Sequence, residues 1–150
     1  VPGERIGYLV IPDEVEDSEQ LITAATIANR VLGSVNAPSL IQKVIRYCIE
    51  HDVTVDVGIY EKNRDLLYGA LIEYGFSCVK PDGAFYLFVK SPVPDEKQFC
   101  EVAKKHHVLV VPGSSFACPG YVRIAYCVAY EQIERSLPAF KEIAGEYGLR

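Results

Sequence analysis

The spacing of hydrophobic and polar residues divides the chain into two parts, and the first part begins with an apolar run. The run RIGYLVI, residues 5–11, ends at Pro12 and an acidic cluster, and it predicts a strand. Apolar residues then recur at helical spacing over about residues 19–32 and 38–49, which predicts two helices separated by a break around Gly33. Since a lone strand leaves its own backbone groups unpaired, we expect this part to be cut from a larger structure.

The second part predicts a compact α+β unit. A helix over about residues 56–74 ends at Gly75, a residue type that favours the left-handed backbone at a helix end. Further elements follow in the order β-β-α-β-β-α: strands over 76–80, 84–90, 108–112 and 121–127, and helices over about 95–106 and 130–145. The glycine- and serine-rich segment 113–120 predicts an irregular loop. We therefore predict an α+β fold in which a small β-sheet packs against helices.

Charge and cysteine content exclude several classes of function. The net charge of −5 argues against broad nucleic-acid binding, which requires clustered Lys and Arg. The five cysteines are scattered with no CxxC pair, so no metal site or dithiol motif is predicted, and a reduced, cytoplasmic protein is expected. No apolar stretch approaches the roughly 18 residues of a membrane span, so no membrane association is expected.

Two arginines stand in or beside apolar strands: Arg5 in PGERIGY and Arg123 in PGYVRIAYC. A buried guanidinium is unfavourable unless it is paired, and its planar set of donors suits carboxylate or phosphate. Each arginine therefore either pairs with an internal acid, extends to the surface, or binds an anionic ligand. The spacing alone leaves these interpretations open.

Four motifs, in this order along the chain, are PGERIGY, PDGAFYLF, PGSSF and GYVRIAYC. Together they resemble the C-terminal half of fold-type I, pyridoxal-phosphate-dependent aminotransferases of class I/II, the group that contains aspartate aminotransferase. The resemblance covers essentially the whole chain. It implies that residues 1–50 are the tail of the large cofactor-binding domain, with one strand and two helices. Residues 51–150 would be the C-terminal small domain with the long inter-domain helix.

The resemblance also implies roles for individual residues. Arg5 would bind the phosphate of pyridoxal 5′-phosphate, Arg123 the α-carboxylate of the substrate, and Phe85 would line the substrate side of the pocket. Ser34 and Asn36, in a segment similar to SxNxP, would lie near the active site of the neighbouring subunit. The family implies amino acid and 2-keto acid substrates and a homodimer.

The resemblance places the lysine that forms the Schiff base a few residues before the arginine of the first motif, upstream of Val1. None of the lysines in this chain lies at that position. We therefore expect no catalytic residue within the chain, no activity of the chain in isolation, and no cofactor bound to it alone.

The sequence leaves two alternative functions open. One is a stand-alone module that senses an amino acid, in which both arginines are structural or bind an effector. The other is a pyridoxal-phosphate-dependent C–S lyase of the same fold.

Overall fold

A computed structural model describes residues 3–149, and its contacts divide the chain into two units, Val1–Val55 and Asp56–Arg150. We call these unit 1 and unit 2. The division falls five residues after the boundary between 50 and 51 that the sequence predicts. Over the described residues the structure has five α-helices and one three-stranded antiparallel sheet. The predicted α+β class is confirmed.

Unit 1 contains two helices, α1 (Ser18–Val31) and α2 (Ser39–Glu50). Both form where the apolar spacing predicts them. Glu19 in the first turn of α1 and Arg30 in its last turn complement the helix dipole. Pro38 stands immediately before α2, where a missing backbone N–H is harmless.

The strand predicted over residues 5–11 is not formed, which corrects the one-strand description of the first part. The segment has no ladder partner among residues 3–149 and carries no regular secondary structure. Arg5 accordingly lies exposed rather than on a sheet. The physical reason is that a strand exists only through hydrogen bonds to a neighbouring strand.

Unit 1 has no hydrophobic core within its described residues, because none of residues 3–55 is buried. Its helices instead expose large apolar side chains: Leu21, Ile22, Ile27 and Val31 on α1, and Leu40, Ile45, Tyr47 and Ile49 on α2. Helices in proteins gain most of their stability by packing an apolar face. The faces of α1 and α2 therefore lack the packing that would stabilise them.

Unit 2 has three helices, three strands and a short 3₁₀ helix among its described residues. In chain order these are α3 (Val57–Glu73), β1 (Tyr86–Lys90), α4 (Glu96–Lys105), β2 (Val111–Pro112), the 3₁₀ helix (Gly113–Phe116), β3 (Tyr121–Ala125) and α5 (Tyr130–Glu146). Asp56 caps α3 by accepting from the N–H of Gly58 at 2.9 Å. Asp95 caps α4 in the same way through the N–H of Lys97.

Three of the predicted elements in unit 2 differ in the structure. The strand predicted over 76–80 reduces to a single bridge between Cys78 and Val89. The strand predicted over 108–112 reduces to the two residues of β2. The predicted irregular loop 113–120 opens with the 3₁₀ helix. In the first two cases, apolar composition overstated how many residues find a ladder partner.

The sheet has the order β1-β3-β2, so β3 is its central strand. Leu87 pairs with Ile124 and Phe88 pairs with Arg123. Because side chains alternate between the faces of a strand, Leu87 and Ile124 share one face and Arg123 lies on the other. The first face is buried and joins the core with side chains of α3, α4 and α5, namely Leu67, Leu71, Phe99, Ala103, Ile133, Phe140 and Ile143.

His106, the C-terminal cap of α4, connects this helix to α5. Its Nδ1 lies 3.2 Å from Glu142 Oε2, and its Nε2 lies 2.7 Å from Glu146 Oε1. The hydrogen bond to Glu146, helped by that to Glu142, raises the pKa of His106 above its ordinary value of 6.5.

His106→Gln is expected to lower the free energy of unfolding more at about pH 5.5 than at about pH 9. The pKa is higher in the folded chain, so protonated His106 stabilises it below the unfolded value, and this contribution is lost as pH rises through the folded pKa. Urea unfolding across this pH range measures the effect. His107→Asn, at the exposed neighbouring residue, is the control for a histidine substitution at this helix end. An effect of His106→Gln that is the same at every pH would contradict the ion pairs.

Candidate functional site

The side chain of Arg123 lies on the face of the sheet opposite the core, held by two aromatic rings. Its Cζ is 4.2 Å from the centroid of the Tyr86 ring and 3.8 Å from that of the Phe116 ring. Both distances are well inside the range of a cation–π contact. The arginine is half-buried, so these rings replace part of the water around the guanidinium.

No carboxylate oxygen lies within 4.0 Å of an Arg123 nitrogen in the part of the chain that the structure describes. Arg64 on α3 is the opposite case, because its guanidinium contacts Asp65 at 2.9 Å and Glu61 at 3.1 Å. The interpretation that Arg123 pairs with an internal acid is therefore wrong. Its N–H donors remain available to a ligand.

Phe85 adjoins this arrangement. Its ring lies 4.8 Å from the ring of Tyr86 and 6.1 Å from that of Tyr60, and 39% of Phe85 is exposed. Phe85 therefore extends the aromatic surface beside Arg123 toward α3. Phe85 and Arg123, the two predicted site residues of unit 2, thus each contact the ring of Tyr86.

The turn before β1 is anchored by Tyr126, which follows β3. The Tyr126 hydroxyl donates to the carbonyl oxygen of Ala84 at 3.0 Å, and the Tyr126 N–H donates to the carbonyl of Phe85 at 3.0 Å. Asn63 on α3 donates in turn to the carbonyl of Tyr126 at 2.9 Å. A cavity of about 280 Å³ opens beside this turn and is also lined by Tyr60. The position of Phe85 thus depends on a fixed hydrogen-bonded turn.

Phe116 is placed by a tightly packed loop. The 3₁₀ helix begins at Gly113, where a Cβ would overlap the backbone carbonyl oxygens of Cys118 and Tyr121. The N–H of Cys118 donates to the carbonyl of Gly113 at 2.9 Å, which closes the loop. Only glycine fits here, because the clash is with backbone rather than with a movable side chain.

Glu96, in the first turn of α4, ties the same loop to that helix. Its carboxylate is buried and accepts from the N–H of Gly120 at 3.2 Å. The hydrogen bond from Ser114, helped by backbone N–H groups, holds the pKa of Glu96 below its usual range. Glu96 therefore fastens this loop to α4 at Gly120.

A separate groove lies within unit 1. Its volume is about 660 Å³, and it is lined by residues 5–9, Asn29 and residues 34–38. Arg5, Ser34 and Asn36 are thus brought together in one groove of the same chain. No carboxylate oxygen among residues 3–149 lies within 4.0 Å of Arg5. The groove therefore presents a guanidinium, a hydroxyl and an amide.

Two residues that contact Arg123, Tyr86 and Phe116, are not identified by the sequence alone. Tyr86 pairs with Ala125, so it lies diagonally across from Arg123 on the same face of the sheet. Such a contact could be found only if the strand register were known.

The described residues form neither a cluster of metal-ligating side chains nor a helix that could cross a membrane. Over 3–149 no group of three or more His, Cys, Asp or Glu side chains is arranged to hold a metal ion. None of the helices in that range combines the length and the apolar character required to cross a bilayer.

Gly113→Ala is expected to lower the free energy of unfolding of the chain by about 3 kcal/mol, because the new methyl group must displace backbone. Gly69→Ala, inside α3 with open space around it, is the matched control and should raise stability by about 0.5–1 kcal/mol. Urea unfolding measures both. Equal effects of the two substitutions would contradict the close packing at Gly113.

The chain is similar to known proteins over most of its length. The sequence profile described as aminotransferase class I and II matches residues 1–140. A crystal structure of an aminotransferase from Eubacterium rectale is similar to 98% of this chain, at 52% identity and a TM-score of 0.87, and the chain covers 36% of that protein.

Two curated relatives are similar over most of the chain. A probable aspartate aminotransferase of Methanocaldococcus jannaschii is 37% identical over 94% of this chain and 39% of its own length. An aspartate/prephenate aminotransferase of Thermus thermophilus is 39% identical over 95% of this chain and 37% of its own length. This chain thus spans less than two fifths of either relative. The profile match and these likenesses show that the chain belongs to the class I and II aminotransferase family.

Proposed function

We propose that this chain is the C-terminal part of a pyridoxal-phosphate-dependent aminotransferase that transfers an amino group from an amino acid to a 2-keto acid. The observation that carries the proposal is the guanidinium of Arg123, which two aromatic rings hold and which has no carboxylate oxygen within 4.0 Å among residues 3–149. Aspartate and aspartate/prephenate aminotransferases among the relatives favour amino-group transfer over the C–S lyase alternative.

Arg123 binds the α-carboxylate of the substrate. A guanidinium can donate two parallel hydrogen bonds to one carboxylate, which fixes the orientation of the bound molecule as well as its affinity. Amino acids and 2-keto acids share this carboxylate, so one arginine serves both substrates. Orientation matters because the bond from Cα to hydrogen must be aligned for cleavage.

Arg5 binds the phosphate of the cofactor. The unit 1 groove offers a donor that suits a phosphate, the guanidinium of Arg5. Pyridoxal phosphate, when bound, supplies an aldehyde that condenses with amines and a ring that withdraws electrons from Cα. Arg5 anchors the cofactor while that chemistry proceeds. The resemblance places Ser34 and Asn36, which line the same groove, near the active site of the neighbouring subunit of a homodimer, and we keep that role for them.

The rest of the enzyme lies outside this chain. Two observations support this: the chain spans 36–39% of the relatives compared above, and α1 and α2 expose apolar faces without burying any residue. No lysine is among the described residues that line the Arg5 groove, so the amine that holds the cofactor comes from elsewhere. The remainder of the cofactor-binding domain would cover α1 and α2 and supply this lysine.

In the complete enzyme, Arg123→Ala is expected to lower kcat/KM for the amino acid by about a hundredfold, because a charge-assisted bidentate contact is lost. Cofactor affinity should stay unchanged. Arg5→Ala should do the reverse and chiefly weaken cofactor binding. Steady-state kinetics and cofactor titration followed by absorbance separate the two. Arg135→Ala, at an exposed arginine on α5, is the control for loss of a positive charge. Equal loss of substrate and cofactor binding in both variants would contradict the separate roles.

The 150-residue chain alone is expected to show no transaminase activity. Mixed with pyridoxal phosphate and reduced with borohydride, it should carry no specific lysine adduct by mass spectrometry, because the lysine of the active site lies outside it. Turnover together with one stoichiometric adduct would show that the chain is sufficient, and the proposed fragment status would be wrong.

A further inference from the structure

We propose that Tyr86 and Phe116 are positioning residues for Arg123: their rings hold the guanidinium by its faces, so that its edge is presented to the substrate carboxylate. The inference rests on the proposed function, because it assigns how the carboxylate-binding group is oriented. It adds two residues that do not themselves contact the carboxylate.

The rings that hold Arg123 and the carboxylate that it would bind contact different parts of the guanidinium. The guanidinium carbon lies 4.2 Å from the ring centre of Tyr86 and 3.8 Å from that of Phe116. Rings attract a guanidinium through its π face, whereas its N–H donors point outward in its own plane. Contacts with rings therefore consume no donor, unlike the ion pairs of Arg64 with Asp65 and Glu61.

The two rings come from elements whose positions are fixed independently of Arg123. Tyr86 belongs to β1, which pairs with β3 along its whole length. Phe116 ends the 3₁₀ helix, and its ring makes an edge contact with Phe88 at a centroid distance of 6.3 Å. The loop behind Phe116 is closed at Gly113 and held by Glu96. The rings therefore form a preorganised binding site for the guanidinium.

Holding the Arg123 side chain in place before a ligand arrives raises its affinity for the ligand carboxylate. A free arginine side chain has several rotatable bonds and loses that freedom when it binds a ligand. A side chain already held in one orientation loses less, so the carboxylate binds more tightly with the same hydrogen bonds. Loss of the rings should therefore weaken binding of any substrate through its carboxylate.

The experiment uses the complete enzyme and alters the electron density of the ring without altering its shape. Phe116 is replaced by phenylalanine carrying one, two and three ring fluorines. The amino donor is whichever of L-aspartate, L-phenylalanine and L-tyrosine gives the highest kcat/KM with 2-oxoglutarate. We expect KM for that donor to rise stepwise along the series, by about threefold to tenfold at three fluorines, with cofactor affinity unchanged.

Substitutions by the standard amino acids give a second test of the positioning role. Phe116→Leu and Tyr86→Leu should each raise KM for the donor by about threefold to tenfold, whereas Phe116→Tyr and Tyr86→Phe should retain the original value. Tyr130→Leu is the matched control, since its ring lies 4.1 Å from Lys62 Nζ, a similar contact that does not involve Arg123. It should leave KM unchanged.

Arg123→Ala in the same assays distinguishes failure of the positioning role from failure of the proposed function. If it raises KM but the fluorinated series is flat, the rings only fill space and the positioning role is overturned while the proposed function stands. If Arg123→Ala leaves KM unchanged, the proposed function is wrong, and the positioning role is overturned with it.

Discussion

The contact of the Arg123 guanidinium with the rings of Tyr86 and Phe116 is the interaction on which the site in unit 2 depends. A half-buried cation on a sheet must be compensated, and an internal acid is the usual means. An acid, however, would occupy the donors that a ligand carboxylate needs. Two rings can instead contribute about 0.5–2 kcal/mol each while leaving those donors free. The two rings thus stabilise the positive charge of Arg123 and leave its N–H donors free to bind a carboxylate.

The rest of unit 2 fixes the positions of Arg123 and the aromatic rings around it. The buried face of the sheet packs against three helices, so the opposite face, with Arg123 on its central strand, is held rigidly. Glu96 and Gly113 fix the loop that carries Phe116. Tyr126 fixes the turn that precedes β1 and carries Phe85. Unit 1 has no such core in its described residues.

The sequence predicts most of what depends on neighbours close in the chain. The five helices of the described residues form close to where the sequence predicts them, and Gly75 ends α3 with a positive φ of 86°, as its position predicts. Strands are predicted less well, because residues 5–11 and 76–80 have the composition of strands but find little or no partner. The motifs predict Arg123 and Phe85 as candidate site residues. Tyr86 and Phe116 are missed, since their contact with Arg123 follows from strand register and from a closed loop, neither of which a local pattern encodes.

The most direct test is a crystal structure of the complete enzyme with its cofactor and an unreactive dicarboxylate such as maleate. The account predicts that one ligand carboxylate accepts two hydrogen bonds from the edge of the Arg123 guanidinium while the rings of Tyr86 and Phe116 still lie against it. A structure in which Arg123 is paired with an acidic side chain of the protein, and the ligand carboxylate binds elsewhere, would contradict the account.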